Sequence, residues 1–149
     1  MIHNDVIRAL RHILNIPDQQ IVEILALADK AVSLDDVKAY LKSENEAGFK
    51  ECGDDVMAPF LDGLVFFKRG KDESKPRLST RERISNNMTI KKLRVAFELK
   101  ELDIIALIGK AGLKISKTEV NAFFRHPDHR NYRVCGDQFL RNLLKGLST

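Results

Sequence analysis

Apolar residues recur along this chain every three or four positions, in stretches separated by polar or glycine-containing segments. Ile7, Leu10 and Leu14 form one such stripe, and Ile21 and Ile24 begin the next. This spacing places the side chains on one face of an α-helix. The alternation of apolar and polar residues that is typical of strands is weak throughout. The pattern therefore predicts an all-α fold.

The second half of the chain repeats the first at a constant offset of 83 residues. Residues 4–64 align with residues 87–147 without a gap, and 15 of the 61 aligned positions are identical. Each copy shows four predicted helices, so the chain is expected to be a tandem duplication of a four-helix unit. The identical pairs include Leu10 and Leu93, Arg11 and Arg94, Ser33 and Ser116, Cys52 and Cys135, and Gly63 and Gly146.

Charge divides the chain into three parts, which we take as its predicted domains. Residues 1–67 hold 6 Lys/Arg and 12 Asp/Glu, residues 68–83 hold 7 and 3, and residues 84–149 hold 12 and 6. The net charges are therefore −6, +4 and +6. The outer parts are an acidic and a basic helical repeat. The middle part, broken by Gly70 and Pro76, has the composition of a mobile basic linker.

The charge asymmetry has two interpretations of equal weight. An acidic and a basic half could attract each other across their interface. Alternatively, the basic half could meet an acidic partner, of which nucleic acid is the commonest.

Polar residues indicate where the predicted helices begin. Ser33 and Ser116 stand three residues before Asp36 and Glu119, which predicts a capping box at the third helix of each repeat, with Glu119 the better partner. Two further pairs are predicted to be the N-caps of the first and fourth helices: Asn4 with Asn87, and Asp54 with Asp137.

The cysteines and the N-terminus indicate the compartment. Cys52 and Cys135 occupy equivalent repeat positions, which predicts two small buried thiols in a reducing environment. No apolar run approaches the roughly eighteen residues of a transmembrane span, and residues 1–5 lack the blocks of a signal peptide. We expect a cytoplasmic protein without a membrane partner.

Four segments of the second repeat are distinctive. They read Ile-Lys-Lys-Leu-Arg at 90–94, Phe-Phe-Arg-His-Pro at 123–127, Asn-Tyr-Arg-Val-Cys at 131–135 and Asp-Gln-Phe-Leu-Arg-Asn-Leu-Leu-Lys-Gly-Leu at 137–147. With the tandem arrangement, the chain resembles the YehS-like family of small bacterial proteins, over nearly its whole length. The resemblance implies a duplicated, cytoplasmic protein of undefined biochemical function, and it transfers no catalytic or binding residues.

The helix order within each repeat is more loosely similar to the helix-turn-helix of phage-repressor-like domains. Residues 103–120 would contain a helix, a turn with Gly112, and a second helix after Ser116 that would enter the major groove in a DNA reader. The turn is longer than usual, and the first repeat has Asp29 in place of Gly112. Because any two consecutive amphipathic helices give this pattern, we favour a structural interpretation over direct DNA readout.

Cations are concentrated around the third helix of the second repeat and the loop that follows. The cations are suited to contact phosphates, and the tyrosine among them is suited to stack on a base. They could instead form a solvated or intramolecular surface. The candidate nucleic-acid-binding residues are Lys114, Lys117, Arg125, His126, His129, Arg130, Tyr132 and Arg133, at positions where the first repeat has Ala31, Leu34, Lys42, Ser43, Glu46, Ala47, Phe49 and Lys50.

No motif indicates catalysis, so we expect a protein that is not an enzyme and has no cofactor. His126, His129 and Cys135 could suggest a metal site, but the first repeat keeps only the cysteine. We therefore interpret both histidines as loop residues and expect no metal. Arg11 and Arg94 are expected to bridge to a carboxylate or a helix end, or else to mark a shared ligand site.

These observations favour a non-enzymatic cytoplasmic binding protein that is nucleic-acid-associated or regulatory through its basic second repeat and linker. The alternative is a protein-interaction adaptor or homo-oligomer, in which the acidic repeat of one chain meets the basic repeat of another.

Overall fold

Eight helices and no strand are found in residues 1–79 and 81–149, which are the residues that the computed structural model describes. Thr80, inside the predicted linker, lies outside the described residues. The all-α prediction is confirmed. The helices are α1 (His3–Leu14), α2 (Asp18–Leu27), α3 (Leu34–Leu41), α4 (Asp54–Arg69), α5 (Asn86–Ala96), α6 (Glu101–Lys110), α7 (Lys117–Phe124) and α8 (Asp137–Leu147).

The chain divides into two units, Met1–Ile84 and Ser85–Thr149. At the 83-residue offset of the repeat, α2 and α3 coincide with α6 and α7 from first residue to last. The starts of α1 and α4 likewise coincide with those of α5 and α8. The predicted tandem duplication of a four-helix unit is therefore confirmed.

The second and fourth helices of each unit pack closely at a glycine. A Cβ atom on Gly63 of α4 would lie 2.0 Å from the carbonyl oxygen of Ile24 in α2. A Cβ atom on Gly146 of α8 would lie 2.3 Å from the carbonyl oxygen of Leu107 in α6. Since no side chain tolerates such distances, glycine at both positions allows the helices to approach. Apolar side chains that are at most 2% exposed fill the two cores: Leu10, Ile21, Ile24, Phe60 and Leu61, and Leu93, Ile104, Ile108, Leu140 and Leu143.

The prediction that Asn4 and Asn87 cap the first helix of each repeat is wrong. The N-cap residues of α1 and α5 are Ile2 and Ser85. The asparagines lie inside the first turn, where they are 0% and 7% exposed. A buried amide side chain needs hydrogen-bond partners. The helix ends do not supply them here, so the partners lie elsewhere in the fold.

Each asparagine connects the first helix of its unit to the end of the third helix and to the segment before the fourth. The Nδ2 atom of Asn4 donates to the carbonyl oxygens of Tyr40 and Lys50 at 3.0 and 2.8 Å, and its Oδ1 atom accepts from the amide of Cys52 at 2.8 Å. Asn87 makes the same three bonds to the equivalent residues, at 3.0, 2.8 and 2.8 Å. This arrangement holds the loop after the third helix in both units.

Both third helices begin after the predicted serine, but the predicted capping box is present only at α7. Ser116 accepts from the amide of Glu119 at 3.1 Å, and the Oε1 atom of Glu119 accepts from the amide of Ser116 at 3.3 Å. Ser33 likewise accepts from the amide of Asp36 at 3.1 Å. The shorter carboxylate of Asp36 lies instead 3.5 Å from Nζ of Lys50. Of the two third helices, only α7, which has the glutamate, shows both hydrogen bonds of the capping box among its described residues.

The prediction that Asp54 and Asp137 are N-caps is wrong by one residue. Gly53 and Gly136 are the N-caps of α4 and α8, and each aspartate is the first residue of its helix. A carboxylate there still interacts favourably with the positive end of the helix dipole. The Oδ1 atom of Asp54 also lies 2.7 Å from Nε2 of His3, a hydrogen bond that lowers the pKa of Asp54.

The described residues between α4 and α5 form no helix, and several contact the helical part of the first unit, to which they belong. The Nη1 atom of Arg77 donates to Oδ2 of Asp29 at 2.7 Å, and this bond lowers the pKa of that carboxyl. The guanidinium also lies 5.1 Å from the ring centroid of Phe66, and Ile84 is 4% exposed. The basic segment therefore brings positive charge to the acidic repeat.

Candidate functional site

The loop after α7 is held by backbone hydrogen bonds at its end and along its length. The amide of Arg133 donates to the carbonyl oxygen of Ala122 in α7 at 3.1 Å, and Asn87 donates to the carbonyl oxygen of Arg133 at 2.8 Å. Within the loop, the amides of His129 and Tyr132 close successive turns with bonds of 2.8 and 2.9 Å. The backbone of the loop therefore has a defined position relative to α7.

A cleft of about 410 Å³ lies between α7 and this loop. The structure thus brings four of the candidate residues around one concavity. We call it the basic cleft, and define it by its lining residues Thr118, Glu119, Ala122, Arg125, Arg130, Asn131, Tyr132 and Arg133.

Positive charge dominates the lining of the basic cleft. The Nη1 atom of Arg125 donates to the carbonyl oxygen of Asn131 at 3.1 Å, which leaves its remaining N–H groups for other partners. Glu119 is committed to its capping box. In the described part of the chain, no carboxylate pairs with Arg125, Arg130 or Arg133. Guanidinium groups that have no carboxylate partner are suited to bind a phosphate with two parallel hydrogen bonds.

The equivalent positions of the first unit carry no such excess of charge. The eight described lining residues of the basic cleft have a net charge of +2, whereas their equivalents have a net charge of 0. In the first unit Lys50 pairs with Asp36 at 3.5 Å, and Nζ of Lys42 donates to the carbonyl oxygen of Ala47 at 2.9 Å. The equivalent residues are Asp35, Asp36, Ala39, Lys42, Ala47, Gly48, Phe49 and Lys50.

His126 and His129 support the loop and do not line the basic cleft. The Nδ1 atom of His126 accepts from the amide of Asp128 at 3.1 Å, and that of His129 accepts from the amide of Asn131 at 3.0 Å. In the first unit the carboxylate of Glu46 serves the same segment, by accepting from a backbone amide at 3.0 Å.

Lys114 and Lys117 lie outside the basic cleft. Lys114 is exposed in the turn between α6 and α7, and Nζ of Lys117 lies 3.5 Å from Oε1 of Glu101. The exposed residues of α7 are Lys117, Thr118 and Glu119, all in its first turn. This helix therefore presents few groups of the kind that read bases in a major groove.

Sequence reasoning missed Thr118, Glu119, Ala122 and Asn131 as lining residues. Ala122 stands four residues after Thr118 and three after Glu119, so the three share one face of α7. This shared face could have been recognised from the sequence once the helix was predicted there. Asn131 lines the cleft from the loop, where no comparable signal in the sequence could have identified it.

The shared arginines have different contacts in the two units. The Nε atom of Arg11 donates to Oδ1 of Asp18 at 2.7 Å, so the expected bridge to a carboxylate is confirmed there. The guanidinium of Arg94 lies 4.7 Å from the ring centroid of Phe124. Each arginine connects helices within its own unit.

Cys52 and Cys135 are buried free thiols, as predicted. Burial raises the pKa of each thiol to about 12, so neither forms a nucleophilic thiolate near neutral pH.

Among the described residues, no three His, Cys, Asp or Glu side chains are arranged to hold a metal ion. The helices of the described chain are all too short or too polar to cross a bilayer.

Comparison with known proteins follows the division into two units. A family model matches the chain twice, over residues 3–70 and 86–149, and its description is "Protein of unknown function (DUF1456)". The chain belongs to this family. The uncharacterized protein YehS of Escherichia coli (strain K12) is 45% identical over 148 residues, which cover 99% of this chain and 95% of that protein. The predicted resemblance is confirmed. No solved structure matches the chain significantly.

Proposed function

We propose that this protein is a non-enzymatic binding module whose second unit binds nucleic acid through the basic cleft. The observation that carries the proposal is the convergence of Arg125, Arg130, Tyr132 and Arg133 on one concavity of about 410 Å³. Arginines without a carboxylate partner are suited to phosphates, and an aromatic ring among them is suited to a base.

The distribution of charge between the two units also supports the proposal. Residues 1–84 hold 13 Lys/Arg and 15 Asp/Glu, for a net charge of −2, while residues 85–149 hold 12 and 6, for +6. Part of the basic segment is engaged at Asp29, where Arg77 and Lys71 lie at 2.7 and 3.9 Å. Because the first unit is nearly balanced within itself, it has little negative charge to offer a basic repeat of another chain. This weighs against the adaptor alternative.

Fluorescence anisotropy with labelled DNA and RNA oligonucleotides tests the proposal. We expect binding at low salt that weakens steeply as salt rises, because phosphate contacts release counterions. Arg130→Ala gives this position the residue that the first unit has, Ala47, so the fold should be preserved. We expect this change to weaken binding by about three- to tenfold at low salt.

The matched control is Arg141→Ala, which removes an exposed cation of α8 that does not line the basic cleft. It should weaken binding less than Arg130→Ala does. Equal losses would indicate a response to net charge alone and would contradict a role for the cleft. Failure to bind either polymer at low salt would overturn the proposal.

A further inference from the structure

We infer that the basic cleft accepts single-stranded nucleic acid, with a phosphate at its arginines and an adjacent base stacked on the ring of Tyr132. The inference rests on the proposed function and specifies its substrate class. It follows from the volume and lining of the cleft, from the position of the aromatic ring, and from the composition of the exposed part of α7.

The exposed surface of α7 is poorly suited to a duplex. This helix has eight residues, and its exposed first turn contains the carboxylate of Glu119 next to Lys117 and Thr118. Lys117 is 3.5 Å from Glu101, so part of its charge is offset within the unit. A helix that reads a major groove presents several donors and acceptors to base edges, flanked by cations that hold the backbone. Here the arginines that line the cleft lie at the end of the helix and in the loop beyond it, and Lys114 lies in the turn before it.

The cleft is large enough for a nucleotide. Its volume of about 410 Å³ lies in the range of roughly 300–1,000 Å³ that is usual for pockets of small ligands. A duplex keeps the faces of its bases stacked inside the helix, so no base could lie on a ring at the wall of a concavity. A single strand exposes each base beside its phosphate, which fits a ring and guanidinium groups in one cleft.

Tyr132 is placed for such a contact. It is half-buried, lines the cleft, and lies in sequence between Asn131 and Arg133, which also line it. The first unit keeps an aromatic residue, Phe49, at the equivalent position, but the charge around that position is balanced. The second unit therefore combines stacking surface and free cations where the first has the ring alone.

Anisotropy with three probes tests the inference: a labelled DNA strand and a labelled RNA strand of about twelve nucleotides, and a labelled DNA duplex of equal length. We expect either single strand to bind about tenfold more tightly than the duplex at low salt. Tyr132→Leu should weaken single-strand binding by about tenfold and leave duplex binding unchanged. Tyr132→Phe, which has the ring of the first unit, should retain single-strand binding.

Tyrosine fluorescence gives a second measurement that does not depend on the stability of the Tyr132→Leu variant. The chain has no Trp and two Tyr, and the other one, Tyr40, is 7% exposed. The second unit has Phe123 at the position of Tyr40, so a Tyr40→Phe variant should fold and leave Tyr132 as the sole emitter. A stacked base should quench that emission, whereas a duplex at the same phosphate concentration should leave it unchanged.

The possible failures can be distinguished. A duplex that binds as tightly as a single strand, or a single strand that binds without quenching Tyr132, would overturn the inference and leave the proposed function standing. Uridine monophosphate that competes as well as the strand, at equal nucleotide concentration, would overturn it in favour of a free-nucleotide site. Absence of binding by all probes would overturn both.

Discussion

In both repeats a buried asparagine of the first helix makes three hydrogen bonds to the same backbone groups, while the loop that it holds differs in charge. Asn4 holds a loop whose Lys50 pairs with Asp36 at 3.5 Å. Asn87 holds a loop whose Arg130 and Arg133 have no carboxylate partner among the described residues. The buried polar contacts therefore maintain the same backbone in both repeats, so the exposed side chains were free to diverge.

Helix ends show the same separation between backbone and side chain. The second residue after α2 is Asp29, with φ of +63°, and its counterpart after α6 is Gly112, with φ of +90°. Both occupy the left-handed region, which glycine adopts freely and aspartate tolerates. The difference between these residues weakens the resemblance of the sequence to a helix-turn-helix. The course of the backbone is nevertheless similar at both positions.

The largest expected effect comes from removing the shared asparagines. Asn4→Ala and Asn87→Ala should each lower the free energy of unfolding by about 3–5 kcal/mol, because two carbonyls and one amide lose their partner in a buried site. Urea denaturation measures the loss, with Asn45→Ala in an exposed loop as the control that should change little. A large loss at Asn4 with almost none at Asn87 would break the equivalence of the two units.

The next largest effect should come from the glycines where helices approach. Gly63→Ala and Gly146→Ala should each cost about 2–3 kcal/mol, since the new Cβ atoms would lie 2.0 and 2.3 Å from a backbone oxygen. Gly109→Ala is the matched control, because no described atom lies within 4 Å of its Cβ position. Alanine there should stabilise α6 by about 0.5–1 kcal/mol. Chemical denaturation of the three variants checks this, and destabilisation at Gly109 alone would contradict the packing argument.

The smallest predicted effect concerns pH and the two thiols. The pKa of Cys52 and of Cys135 is raised from 9.0 to about 12 by burial, so the unfolded chain releases these protons first as pH rises. Their contribution to stability is complete below about pH 9 and is lost between there and about pH 12. At about pH 10 the loss should be about 1 kcal/mol per thiol. Urea titrations of the wild type and of the doubly substituted Cys→Ala chain at pH 7 and 10 measure it. An unchanged pH dependence in the substituted chain would refute the assignment.

Helix positions could be predicted because their causes are local. The spacing of Ile7, Leu10 and Leu14 places an apolar face within α1, and the hydroxyl and carboxylate of Ser116 and Glu119 define the start of α7 over three residues. The repeat strengthened these predictions, since each copy was read against the other. Interactions of this range need no knowledge of the fold.

The role of Asn4 could not be predicted in the same way. An asparagine near a helix start is equally suited to cap that helix or to bond across the fold, and its partners Tyr40, Lys50 and Cys52 are 36 to 48 residues away. Nothing local distinguishes the two uses. The repeat showed that the position was shared without showing why.

By itself, the sequence of this protein determined the helices, the duplication and the difference in charge between the repeats, because these depend on periodicity and composition. Tertiary structure alone decided which cations meet. It brought Arg125, Arg130 and Arg133 around the basic cleft, separated Lys114 and Lys117 from it, and engaged Arg77 at Asp29. The physical reason is that charge is a property of a residue, whereas its partners depend on contacts between chain segments that are distant in sequence.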